Sequence, residues 1–163
     1  LDERGGEQWR VDLATPTEVG DETLYAYPNH VHATADGVAF VTGNTYPEDG
    51  RETASLHPNE HTVFGVTPDG DVTWTDDVSG FATGVAADGN RVGVPAAQHF
   101  RERDPDVHGL RTFDVCEGPV TAVETAGVVT ATALADGTVA AVEEPVVYHD
   151  DGTERGSYRL HRC

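Results

Sequence analysis

Lysine is absent from this chain of 163 residues, so its ten basic side chains other than histidine are all arginines. That absence excludes a phosphate-loop lysine and a lysine Schiff base. Serine occurs only as Ser55, Ser79 and Ser157, and no Gly-x-Ser-x-Gly elbow or His-Glu-x-x-His pair is present. Cysteine is limited to Cys116 and Cys163, without metal-finger spacing, which leaves a disulfide or two free thiols open. No apolar run is long enough to span a bilayer, so no transmembrane segment is expected. The opening LDERGGEQW has neither a charged n-region nor an apolar h-region. Localisation stays open between the cytoplasm and an extracellular or cell-surface site.

What the chain has in excess is negative charge: 29 carboxylates give a formal net charge of −19. Nucleic acid is excluded as a partner, because cationic side chains drive that binding by releasing counterions. Arginine in place of all lysine, with aspartate filling turns and surface, fits a salt-loving archaeon. Such charge density repels itself at low salt, whereas at molar salt the screening length falls to about 3 Å.

A repeat organises the rest. Gly70 to Gly89 reads GDVTWTDDVSGFATGVAADG and Gly118 to Gly137 reads GPVTAVETAGVVTATALADG, aligned without a gap at about 48 residues. A weaker copy is ATADGVAFV at 33–41, parallel to VAADGNRVGV at 85–94. Apolar residues alternate over stretches of four to seven, rich in β-branched and aromatic side chains, while helical spacing is nearly missing. Asp-Gly pairs at 36–37, 69–70, 88–89, 136–137 and 151–152 supply the positive φ of tight hairpins. The fold class is therefore all-β.

Four antiparallel strands, A to D from inside outward, recur in each unit. They are expected at 30–35, 38–43, 61–66 and 71–76, then at 81–86, 91–95, 109–114 and 119–124. A last unit runs from Val128 through TVAAVE, VVYHD and GSYRL. The opening GEQWRVDL reads as the D strand of a preceding unit. The units are thus about 1–13, 30–76, 81–124 and 128–160, within one repeat domain. Units of this size and content describe β-propeller blades.

The residues Phe64, Asp69, Gly70 and Trp74, followed by Asp88, Gly89, Val92 and Val94, make VFGVTPDGDVTW…VAADGNRVGV similar to the quinoprotein-like (PQQ-like) propeller repeat. Ala122 departs from the pattern where a second tryptophan is due. The resemblance implies a partial propeller of about three to four blades, a fragment of a longer one, whose ring other blades or another chain complete. It also implies a non-catalytic scaffold presenting a loop face to a protein, peptide or glycan. The alternative is part of a quinone- or metal-dependent oxidoreductase. No quinone ligands can be placed, so the expectation leans away from an enzyme.

In such a ring the long connections, at about 14–29, 44–60 and 96–108, share one face, and loops carry function more often than their scaffold. Most histidines fall there. His30 and His32, two apart on a strand, point to one side as a chelating pair requires. His57, Glu60 and His61 in HPNEH add donors suited to zinc, copper or nickel. Calcium is a second candidate, through Glu48 and Asp49 or Asp104 and Asp106. His99, Arg101, Arg103 and His108 make up a binding face, and Trp9 and Trp74 are expected to pack between blades.

Dialysis from molar salt to below about 0.1 M, where screening reaches about 10 Å, is expected to loosen the fold. Circular dichroism reads this as loss of the strand signal. An unchanged spectrum would speak against a fold that depends on screening.

Overall fold

The computed structural model describes residues 4–12, 16–50, 54–97, 99, 104–148 and 152–163. Among them the fold is all-β and antiparallel, and the one helical turn is a 3-10 turn at Pro105–Val107. No helix there is long and apolar enough to cross a membrane. Sheet I orders β1 (Thr17–Val19), β2 (Glu22–Ala33), β3 (Val38–Pro47), β4 (Thr62–Val66) and β5 (Val72–Asp77). Sheet II orders β6 (Ala86–Asp88), β7 (Arg91–Ala96), β8 (Gly109–Asp114) and β9 (Gly118–Glu124). Sheet III has β10 (Val128–Ala135), β11 (Thr138–Glu144) and β14 (Arg159–Arg162), while β12 (Val146–Val147) and β13 (Glu154–Arg155) form a separate ribbon.

Sequence and structure differ in five respects. Residues 5–12 contain no strand; there Trp9 instead lies over the 68–70 turn, its Nε1 donating to Pro68 O at 2.7 Å. The connection at 14–29 is largely sheet, because Gly20 at φ 64° closes a β1–β2 hairpin that pairs Val19 with Glu22. The 44–60 connection likewise begins inside β3, which runs to Pro47. Finally, the sheets hold five, four and three strands rather than a uniform four. β6 is shorter than the 81–86 strand expected, with only an isolated Ala82–Ala96 bridge before it. Gly80 and Gly84 bracket that stretch, and glycine weakens strands.

The sheets lean on one another. Ala39, Val41 and Val63 of sheet I meet Val92, Val94 and Phe113 of sheet II in one buried cluster, joined by Val78, Ala82 and Val115. Leu110 of sheet II meets Val129 and Ala141 of sheet III in a second. A buried valine or leucine contributes about 1.5–3 kcal/mol, so these two seams carry the fold. Alternation along β3 explains the first: residues 39 and 41 face sheet II, while Phe40 turns away to stack on Phe64, ring centroids 4.6 Å apart.

Trp74 fastens the edge of that seam. Its cross-strand partner is Gly65, where an added Cβ would come within 2.1 Å of the indole Nε1. Only glycine lets the ring lie flat over β4 and reach Phe113, at 5.6 Å and 6° between planes. Nε1 also donates to Val115 O at 3.0 Å, and the ring covers Gly118 as Trp9 covers Gly70. Pairing also fixes the repeat offset. Gly65 opposite Trp74 corresponds to Thr112 opposite Thr121, each with a bulge beside it. The C and D strands therefore repeat at 47 residues, and Thr121, not Ala122, occupies the register of Trp74.

Sheet III holds its last strand through a buried carboxylate. Glu143 on β11 is 1% exposed; it accepts Gly127 N at 2.8 Å and His161 Nε2 of β14 at 2.7 Å. Burial alone would push this carboxyl up, but the His161 and Gly127 hydrogen bonds, with the nearby positive charge of His161 and Arg159, hold it below its ordinary value of 4.5. A depressed folded-state pKa contributes stability above the unfolded value and loses it as pH falls through the folded one. Glu143→Gln is therefore expected to flatten the acid limb of stability below about pH 5, read by urea unfolding at stepped pH. An acid limb identical to that of the parent would contradict this role.

A candidate metal centre between two sheets

Glu60 and His61 end the connection from β3 to β4, and His99 lies in the connection from β7 to β8. Connections of the same kind from neighbouring sheets emerge on the same side, so sheet packing brings these three together. Their ligand atoms all fall within 4.8 Å of one another. His61 Nε2 lies 3.6 Å and His99 Nε2 3.7 Å from Glu60 Oε1. The two imidazoles meet edge to face with centroids 4.9 Å apart, and Phe81 closes on His61 from another side. Glu60, His61 and His99 are 9%, 1% and 5% exposed.

The surroundings hold these groups in place. Thr45 Oγ1 donates to Glu60 Oε2 and itself accepts His57 N. His61 Nε2 meets Asn44 Oδ1 at 2.8 Å, an arrangement that resembles the outer partners of metal-ligating histidines. His61 Nδ1 is buried and makes no hydrogen bond of good geometry, although the Ser79 backbone lies near enough to the ring to favour its charged form. An unsatisfied buried polar atom costs about 1–3 kcal/mol. The same residue sits at φ 51°, as Ser79 beside it does at φ 61°, and left-handed backbone at a non-glycine residue costs about 1–3 kcal/mol more. Burial pulls the His61 pKa down, and His99 adds to this; Glu60, Asp77 and the Ser79 backbone oppose it without reversing it. The ring is therefore neutral near pH 7, the state a metal ligand requires.

The second repeat supplies an internal comparison. His108 lies 47 residues after His61, and the backbone bond from Val78 N to His61 O recurs from Thr125 N to His108 O. Both histidines are 1% exposed. At His108, however, Nδ1 meets Ala126 O at 3.3 Å and Nε2 meets Tyr148 Oη at 3.5 Å. One position thus has a satisfied structural histidine; at the other the ring turns Nε2 toward a carboxylate and Asn44 and lacks a well-formed bond at Nδ1.

The remaining sequence candidates lie elsewhere. His30 Nε2 meets Ala82 O at 3.1 Å and His32 Nε2 meets Gly89 O at 3.0 Å, so the two tie sheet I to the chain entering sheet II and to its β6–β7 hairpin. His57 spends Nδ1 on Asn59 N and Nε2 on Thr17 Oγ1. Arg101 and Arg103 lie outside the described residues. Glu48 accepts from Tyr25 Oη at 3.3 Å, and Asp104 caps Asp106 N at 2.9 Å. Two imidazoles and a single carboxylate suit a transition metal better than calcium, which takes six to eight oxygens. Cys116 and Cys163 are both free thiols. Sequence reasoning missed Asn44, Asp77 and Ser79, which no motif marks. It also placed His99 apart from His61, although both belong to B–C connections.

A scan against protein-family models finds no match, and neither does a search of curated proteins.

Removing both members of a buried hydrogen bond in favour of apolar groups of similar shape is close to neutral. His61→Phe with Asn44→Leu is therefore expected to leave stability within about 1 kcal/mol of the parent, measured by denaturant unfolding with chelator present. A loss of more than about 3 kcal/mol, the upper cost of one stranded polar group, would show that the cluster exists to hold the fold.

Proposed function

We propose that the chain is a β-propeller-type repeat module, of the quinoprotein-like kind, whose long-connection rim binds one divalent transition-metal ion through Glu60, His61 and His99. One observation carries the metal reading: two buried imidazoles, His61 and His99, converge on the buried Glu60 carboxylate, with ligand atoms of all three within 4.8 Å of one another. Buried charges and polar groups of this kind are paired or coordinate metals. The blade reading is supported by three antiparallel sheets that bury their faces on one another in chain order, and by the repeated tryptophan-over-glycine contact at Gly70 and Gly118. On this reading the module is a scaffold rather than an enzyme, with further blades or another chain completing the ring. Its rim faces a protein, peptide or glycan partner in a salt-rich setting.

Tag-free protein stripped with chelator is expected to take up one zinc per chain in a calorimetric titration at molar salt. Binding at a hundred times Kd should add about 2.7 kcal/mol of stability. Glu60→Gln or His99→Ala is expected to abolish stoichiometric binding, while His30→Ala with His32→Ala retains it. Sub-stoichiometric zinc, copper and nickel in the parent would end the metal reading.

A further inference from the structure

The three donors line a cavity of about 270 Å³ whose wall also includes Asp77, Ser79 and Asp104. Structural zinc sites are closed by four protein ligands, whereas sites with three keep a position for water or substrate. Among the described residues only Glu60, His61 and His99 meet within ligand range, and the nearby His57 has committed both ring nitrogens. Among the lining residues, Glu60, His61 and His99 are buried, whereas Asp77 and Asp104 are exposed. Each is fixed by a backbone bond in its own turn: Ser79 N to Asp77 Oδ1 at 2.6 Å and Asp106 N to Asp104 Oδ1 at 2.9 Å. An ionised carboxylate has about four acceptor positions, so each keeps acceptor capacity for a ligand.

We propose that an ion held by Glu60, His61 and His99 keeps one coordination position open to this cavity, and that the position takes small oxygen-donor ligands bearing an ammonium group, which Asp77 and Asp104 select. This rests on the metal reading above. The volume lies just below the range of ordinary small-molecule pockets, which limits the ligand to a compact molecule. The metal supplies the contact for a carboxylate that Asp77 and Asp104 would otherwise repel. The two aspartates supply charge-assisted hydrogen bonds to the cation, which are about twice as strong as neutral ones. Because this selection works at contact distance, it persists at salt concentrations that screen the overall charge.

Cobalt(II) makes the site visible. Chelator-stripped protein in 1 M KCl is loaded with Co²⁺, and its visible absorption is followed during titration with butanoate and, separately, with 4-aminobutanoate. Both ligands are expected to change the absorption, the aminated one with a Kd about tenfold lower. Asp77→Asn with Asp104→Asn should erase that ratio. A protein that takes up no cobalt would overturn the metal reading and this inference with it. Stoichiometric cobalt whose absorption neither ligand changes would leave the metal site standing and refute the open position. Equal affinities for the two ligands would refute the selection by Asp77 and Asp104.

Discussion

The seam between sheets I and II is the contact from which the rest of the structure follows. Ala39, Val41 and Val63 press against Val92, Val94 and Phe113, and small or β-branched side chains on both faces let the sheets approach closely. In a chain carrying −19 formal charges, this apolar contact acts against electrostatic self-repulsion. The second seam, Leu110 with Val129 and Ala141, has fewer buried members. Trp74 extends the seam past the edge strand, and it does so because Gly65 beneath it has no side chain.

Closing that seam fixes where the connections meet. The β3–β4 and β7–β8 links leave their sheets on the same side, so their residues converge without a dedicated scaffold. The cost is local. His61 adopts a left-handed backbone and leaves Nδ1 without a well-formed hydrogen bond, together about 2–6 kcal/mol against a total stability of about 5–15. His108 shows that the same position can be occupied without that penalty. The contrast between two copies within one chain separates what the fold needs from what the site needs.

The strands flanking Asp-Gly hairpins were legible in the sequence because local turn chemistry and alternation agree there. Strands expected at 38–43, 91–95 and 109–114 are found at 38–47, 91–96 and 109–114. The first strands of the earlier two units were less so, although β10 begins at Val128 as expected. β2 carries Pro28 and Asn29 and shifts register around them, which interrupts the alternation that marks a strand. The Gly20-Asp21 hairpin before it was a readable signal that the expectation of a long loop passed over. Of the site, Glu60 and His61 stood out through HPNEH, but their partner is decided by packing between sheets. His57, His30 and His32 are drawn away by the backbone and hydroxyl groups their ring nitrogens meet, and no spacing in the sequence encodes that.

The first seam is pinned near both ends by different chemistry. At the hairpin end the indole of Trp74 bridges to Val115; at the connection end Glu60 and His61 from one sheet face His99 from the next. Anything that draws those three side chains inward acts as a rivet across the two sheets and resists their sliding or splaying. Filling and emptying this spot would then change how stiffly consecutive units are clamped, giving the array a mechanical handle at the rim.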